Sequence, residues 1–313
     1  MPADRVRALR PFKICGVDFC GPVNVTLKIR GRPPVKMYIA IFVCFTSKAV
    51  HIELVTDLSS NSFILCLQRF IGRRGLPERI YSDNATNFVG ASRELQELKE
   101  AMLSHAEEVE KFAANKGVSF SFIPPRAPHF GGLWEAAVKS AKGLLVRTAG
   151  KVLLSVEEMQ TVLVQVEAVL NSRPIAPVSN DPNDGEALTP GHLLIGESLL
   201  ALPQGLPHDE VDRLRYSKRW RLISALKQTF WRSWERDYVL SLQAKTKWAE
   251  EEADLVVGKL VVVHEDNMPP LQWLTGRVQE VIPGADGKVR VALVKTRSGV
   301  IKRPIHKLAL LPI

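Results

Sequence analysis

Three acidic residues sit within or at the edges of apolar elements: Asp18 inside the apolar run "ICGVDFCGPV", Asp83 at the close of "ERIYSDN", and Glu135, the first charged residue of "GGLWEAAVKSAKGLL". A carboxylate among neighbours like those of Asp18 needs a metal, a cation or several donors, because an unpaired buried charge is costly. Singly, two of them have plain structural accounts. Asp83 suits an Asx turn, and Glu135 suits the first turn of a helix, where the dipole favours an acid. Together, on separate elements, three carboxylates suit hard divalent cations such as Mg²⁺ or Mn²⁺, which prefer oxygen and keep sites for water and substrate phosphates. Two such ions, about 4 Å apart, clamp the attacking and leaving oxygens of an in-line phosphoryl displacement. That chemistry needs no protein nucleophile, and the sequence has no GxSxG elbow, no Cys/His pair and no GxxxxGK[ST] loop, so no nucleotide cofactor is expected.

Lys139 and Lys142 follow Glu135 by four and seven residues and share its helical face. They read either as contacts to a polyanion or as solvated helix charges. The preceding "PPRAPHFGG" is stiff and close-fitting: Pro128, Gly131 and Gly132 either let the backbone approach a ligand or simply make a tight turn.

The elements that must position these groups follow from hydrophobic period. Residues 12–23 predict a strand ending in a Gly-Pro turn, and residues 36–55 predict two strands in a hairpin around Thr46–Ser47–Lys48. Residues 59–75 predict a helix capped by Ser59, Ser60 or Asn61 and stopped by Gly75 and Pro77. A short strand then runs into Ser82–Asp83–Asn84, residues 93–116 predict an exposed helical segment, and "VSFSFIPP" predicts a fifth strand cut off by prolines. The helix after Glu135 comes next. Residues 155–174 predict an amphipathic helix with Ser155 as N-cap, Glu158 completing a capping box, and Asn171 and Pro174 at its end. Three consecutive strands followed by alternating helices and strands imply a mixed sheet with an antiparallel part.

Beyond a Pro/Gly/Asp-rich connection, Ile223, Leu226, Phe230, Trp234 and Tyr238 recur at helical spacing and predict an aromatic stripe facing a core or an interface. Arg215, Lys218, Arg219, Arg221, Lys227, Arg232 and Arg236 occupy the other faces. The last sixty or so residues read as five short strands divided by Pro and Gly turns, the pattern of a small SH3-like barrel.

Bulk properties agree. With 313 residues and 46% hydrophobic composition the chain can bury a sizeable core, and its length suggests two domains. Residues 1–212 carry 23 basic and 23 acidic side chains, so the net charge of +9 lies wholly in residues 213–313, as expected of a polyanion-binding appendage. Cys15, Cys20, Cys44 and Cys66 form no CxxC pair and are expected as buried, reduced thiols. No signal peptide or membrane-length apolar run is visible, so a soluble intracellular protein is expected.

The motifs carry a resemblance. "VDFCGP", "YSDNATNF" and "PHFGGLWE" resemble the three blocks of the D,D-E catalytic core of retroviral-type integrases, in the RNase H-like superfamily. "APHFGGLWEAAVKSAK", "AVLNSRPIAPVS" and "LTPGHLLIG" are most similar to integrases of Bel/Pao-type LTR retrotransposons, and the likeness covers nearly the whole chain. It implies an α/β fold: an RNase H-like mixed five-stranded sheet with helices (1–200), a basic helical linker (201–252) and a small all-β SH3-like barrel (253–313). It implies that Asp18, Asp83 and Glu135 hold two Mg²⁺ (or Mn²⁺) ions, Asp18 bridging both. Lys139 and Lys142 would take DNA phosphates, with Asn84, Asn87 and His129 lining the site; His129 reads equally well as a surface-loop residue.

The implied reaction is DNA 3′-end processing and strand transfer, with element ends and target DNA as partners, a homo-oligomer as the working form, and action in the nucleus. There are departures. The stretch of 51 residues between Asp83 and Glu135 is long for retroviral cores, and Ala85 stands where they usually have Gly. No His/Cys zinc motif precedes Asp18, which leads us to expect a polyprotein fragment, a truncated copy or a host-retained one. A catalytically silent DNA-binding scaffold and a metal-dependent nuclease on the same fold are the competing readings.

Overall fold

The computed structural model describes residues 9–82, 106–122, 135–150, 152–179, 181, 185–199, 218–246, 255–266, 268–285 and 287–311. The chain forms two compact units, Met1–Leu170 and Asn171–Ile313.

The first unit is built on a mixed sheet in the order β3-β2-β1-β4-β5, with β6 pairing β1 beyond this path. Its strands are β1 (Ile14–Thr26), β2 (Val35–Cys44), β3 (Val50–Val55), β4 (Arg79–Ser82), β5 (Ser119–Phe122) and β6 (Leu154–Ser155). β1, β2 and β3 pair antiparallel, whereas β4 runs parallel to both β1 and β5. The α/β class and the expected mixed sheet are both present. The hairpin falls where expected, between Cys44 and Val50, and every residue of β3 is buried.

One expectation is corrected. Gly21–Pro22 does not end the first strand: β1 continues to Thr26, and its pairing with β2 slips between Cys20 and Val23. Pro22 has no N–H to give to the ladder, and a bulge absorbs it without breaking the strand. Gly21 is required there, since its φ is +126° and a Cβ would lie 3.3 Å from the Met37 carbonyl oxygen.

Helices flank the sheet. In α1 (Ser60–Arg74), Ser59 is the N-cap, its Oγ accepting the Ser62 N–H, while the Gly75 N–H closes the other end on the Ile71 carbonyl. The helix lays Phe70 on Phe42, rings stacked at 4.2 Å, with Phe12 edge-on at 5.5 Å. α2 (Ala106–Asn115) is the described part of the expected polar helical segment. α3 (Glu135–Ala149) packs on β1, burying Ala141, Leu144 and Leu145. α4 (Val156–Asn171) begins with the predicted capping box: Glu158 N–H donates to Ser155 Oγ at 3.3 Å, and Ser155 N–H to Glu158 Oε2 at 2.8 Å.

A second feature of this unit leaves no mark in the sequence pattern. His51 and Glu53, on β3, are 1% and 5% exposed yet meet 3.1 Å apart. Arg69 and Arg73 of α1 donate to Glu53 at 2.7 and 2.9 Å, and Glu167 of α4 faces His51 at 3.4 Å while pairing with Arg74. Burial alone would push the Glu53 carboxyl up, but hydrogen bonds from His51 and Arg69 outweigh it and hold it low. Burial likewise works to lower the His51 imidazole, but its bonds to Glu167 and Glu53 raise it overall.

In the second unit, β7 (Ala176–Pro177) and β8 (Ala187–Leu188) make a small hairpin, followed by α5 (Pro190–Ile195), capped by Thr189. α6 (Lys218–Thr246) buries the whole predicted stripe, Ile223, Leu226, Phe230, Trp234 and Tyr238. Trp273, which belongs to no periodic pattern, stands edge-on to Trp231, Trp234 and Tyr238 at 4.9, 5.8 and 5.4 Å. Arg219, Arg221, Arg232 and Arg236 are exposed. The five expected strands are β9 (Leu260–Val263), β10 (Leu274–Pro283), β11 (Val289–Thr296), β12 (Gly299–Pro304) and β13 (Leu308–Leu310). They form a separate, antiparallel sheet in the order β12-β11-β10-β9-β13, with Val261, Val263, Val278, Ala292, Val294 and Leu308 as its core. All four cysteines are free and buried, and burial pushes the Cys20 and Cys66 thiols up to about 12. Among the described residues no helix is long and apolar enough to cross a membrane.

Candidate active site at Asp18

Asp18 lies on β1, the middle strand of the sheet, opposite Ile41 of β2. Alternation puts Val17 and Phe19 on the face that α1 covers, where Phe19 meets Phe63 edge-on at 5.7 Å. Asp18 therefore points to the other face. There α3 crosses β1, and the Lys142 ammonium is ion-paired with Asp18 Oδ2. Asp18 Oδ1 accepts the Phe19 N–H at 2.7 Å. The Asp18 and Lys142 side chains are only 22% and 17% exposed, so salt screens the pair less than it would a surface one. Burial pulls the Lys142 ammonium down to about 7. The carboxylate beside it acts in the opposite sense, favouring the charged form.

The parallel pairing of β1 with β4 matches Val17 to Ser82. Asp18 and Asp83 each follow one member of that pair in the sequence. Asp83 itself lies outside the described residues, as do Asn84, Asn87 and His129. Glu135 is the first residue of α3, with Lys139 one turn on; the positions of both on the helix are described, but their side chains are not. Lys142 lies two turns beyond Glu135 on the same face, about 10 Å along the helix axis. Among the described residues no group of three or more His, Cys, Asp or Glu is placed to hold a metal, and of the three carboxylates only Asp18 has a described side chain.

A carboxylate oxygen such as that of Asp18 is the donor type that a hard cation takes. Its carboxylate already engages one positive charge and is held in place by a backbone N–H, while the remaining surroundings are strand and helix. Sequence periodicity puts Lys142 on the face of Glu135, but the contact with Asp18 joins residues 124 positions apart and leaves no local trace.

Residues 218–311 match a family described as "Family of unknown function (DUF5641)". No curated protein matches the chain. Among solved structures, the simian T-cell lymphotropic virus intasome in complex with PP2A regulatory subunit B56 gamma is 14% identical. That match covers 98% of this chain and 84% of the other, with a TM-score of 0.34. The catalytic core domain of BIV integrase is 17% identical over 59% of this chain and 95% of its own, with a TM-score of 0.37. The HTLV-2 integrase catalytic core domain in complex with magnesium (trimeric form) is 18% identical over 60% of this chain and 99% of its own, also at 0.37.

Proposed function

We propose that the chain is a divalent-metal-dependent DNA polynucleotidyl transferase, an integrase of the Bel/Pao retrotransposon type. The observation that carries this reading is the setting of Asp18. It is a poorly exposed carboxylate in mid-sheet, covered by the helix that begins at Glu135 and already neutralised by a cation. The three sequence motifs supply the rest.

In this reading Asp18, Asp83 and Glu135 would hold Mg²⁺ or Mn²⁺, which would supply charge stabilisation to a phosphoryl group and to the oxygens that attack and leave it. The chain's own groups bind and orient. The Phe19 N–H fixes the Asp18 carboxylate so that Oδ2 stays directed at the α3 face. Lys139, Lys142, Asn84, Asn87 and His129 would line the path of the DNA backbone, and the second unit carries its own exposed arginines on α6, a further place for phosphates. Water attacks a phosphodiester near the element's end, forming one P–O bond and breaking the bond to the leaving oxygen, which frees a 3′-hydroxyl. That hydroxyl then attacks target DNA in the same way. The working form is a homo-oligomer, and its place of action is the nucleus.

The test is strand resolution of a branched DNA that mimics the joined product, with Mg²⁺ or Mn²⁺, by the full chain beside Asp18→Asn and Glu135→Gln. Metal-dependent resolution, lost in both variants, is expected. DNA that is bound but never resolved would replace this reading with a silent scaffold. Cleavage by water without joining of 3′-hydroxyls would make the protein a nuclease.

A further inference from the structure

We infer that Lys142 is a built-in counter-cation for Asp18 that a divalent ion displaces, so that metal and DNA bind to this protein cooperatively. The inference rests on the reading of Asp18 as a metal ligand and adds a means of coupling the metal to the substrate.

Lys142 ties together two demands that cannot be met at once. Its ammonium lies on Asp18 Oδ2, while Oδ1 is committed to the Phe19 N–H. With both side chains about four-fifths buried, Asp18 deprived of Lys142 would be left as a poorly hydrated charge, the costly state of a broken ion pair. Lys142 therefore stays on Asp18 until another cation replaces it. A divalent ion held by the Asp18 carboxylate would supply that replacement and would also repel the ammonium.

The helix does not have to move for the lysine to leave. Ala141, Leu144 and Leu145 bury the adjoining positions of α3 and fix the stem's root, so the ammonium swings away on its four-carbon chain. It stays on the face it shares with Lys139, where a phosphate can receive it. A phosphate recruiting Lys142 before the metal arrives would strip Asp18 of its partner, and a metal arriving before DNA would leave Lys142 without an anion. Each ligand thus removes the obstacle to the other, and linkage requires the two enhancements to be equal.

The experiment measures Mn²⁺ binding to the full chain at fixed pH by the electron paramagnetic resonance signal of free Mn²⁺, with and without duplex DNA. Wild type should bind Mn²⁺ more tightly when DNA is present, by about tenfold, within the usual range of such couplings. Lys142→Met should bind Mn²⁺ more tightly than wild type without DNA and lose most of the DNA enhancement. Lys142→Arg, which keeps the charge, should resemble wild type.

Because Lys142→Met leaves Asp18 unpaired, a second measurement uses unsubstituted protein. The ¹⁵N resonance of the Lys142 ammonium, protected from exchange in the pair, should vanish on adding Mg²⁺. Asp18→Asn separates the two ways of failing. If it does not weaken Mn²⁺ binding, the metal-site reading falls and takes this inference with it. If it abolishes binding while Lys142→Met leaves the affinity unchanged and the ammonium resonance ignores Mg²⁺, the counter-cation alone is overturned.

Discussion

Replacing Glu53 by Gln keeps its shape and removes the charge around which β3, α1 and α4 are assembled. The cost can be built from its partners. Arg69 and Arg73 are 41% and 58% exposed, so water takes over their hydration and each lost pair is worth about 0–1 kcal/mol. His51 is different. At 1% exposure it has no access to water, and a hydrogen bond of this kind to a charged partner is worth about 1.5–3 kcal/mol. Glu167, at 3.4 Å, remains to it, which favours the lower end of that range. The total is about 2–3 kcal/mol, or about 4–12 °C in the melting temperature of a unit this size.

The loss should depend on pH. His51 titrates above its ordinary value, so its contribution is complete below about 6.5 and fades as pH rises through the folded pKa. Glu53 titrates below its ordinary value, so its contribution is complete above about 4.3 and fades as pH falls through the folded pKa. The window in which both act fully lies between about 4.3 and 6.5. Thermal melts of wild type, Glu53→Gln, His51→Gln and the double variant at pH 5.5 and 8.5 give the coupling directly. A Glu53→Gln melt within 1 °C of wild type at pH 5.5, or a deficit that grows at pH 8.5, would refute the reasoning.

Three further outcomes are expected. Gly276→Ala should lower the melting temperature of the second unit. A Cβ there lies 2.6 Å from both the Lys295 carbonyl oxygen and Val294 Cγ1, an overpacking of about 1–3 kcal/mol; an unchanged melt would show that β11 yields freely. Ser155→Ala should cost about 1 kcal/mol by urea denaturation through loss of the α4 cap, and Ser155→Thr should restore most of it. Burial raises the Glu235 carboxyl despite His264 at 3.6 Å, so this group favours the fold when protonated and loses that contribution as pH rises through its folded value. Glu235→Gln should accordingly be neutral or stabilising at pH 8, and show no gain at pH 4 over wild type; a clear loss at pH 8 would mean that the pair with His264 governs.

What the sequence discloses is what short-range physics dictates. The Ser155–Glu158 box, the Gly75 stop, the β2–β3 hairpin and the α6 stripe each depend on residues within one or two turns of one another. The mistaken end at Gly21–Pro22 is of the same kind: a local breaker suggests a terminus, although a neighbouring strand is available to absorb it. Asp18 is legible because a charge in an apolar strand is conspicuous. Its partner is not, since the helix period identifies Lys142's face without saying what that face meets. The ligands of Glu53 lie 16 and 20 residues away, and Glu167 reaches Ile52 across 115, so the composition of that cluster is a product of packing. Trp273 has no periodic neighbours at all, and only the folded unit shows three aromatic rings converging on it.

The bulge in β1 also has an engineering consequence. It splits one thirteen-residue strand into two stretches with different registers: the half bearing Asp18 is locked between β2 and β4, while the half beyond Val23 pairs with the start of β2 and with β6. Past it, residues 27–34 form a tip in which every residue is exposed. A bulge is where a ladder changes register, so a break in the β1–β2 pairing separates the tip from the carboxylate. The tip is thus a graft point beyond that break, suited to carrying a peptide tag or a tethering handle while the pairing around Asp18 stays in register.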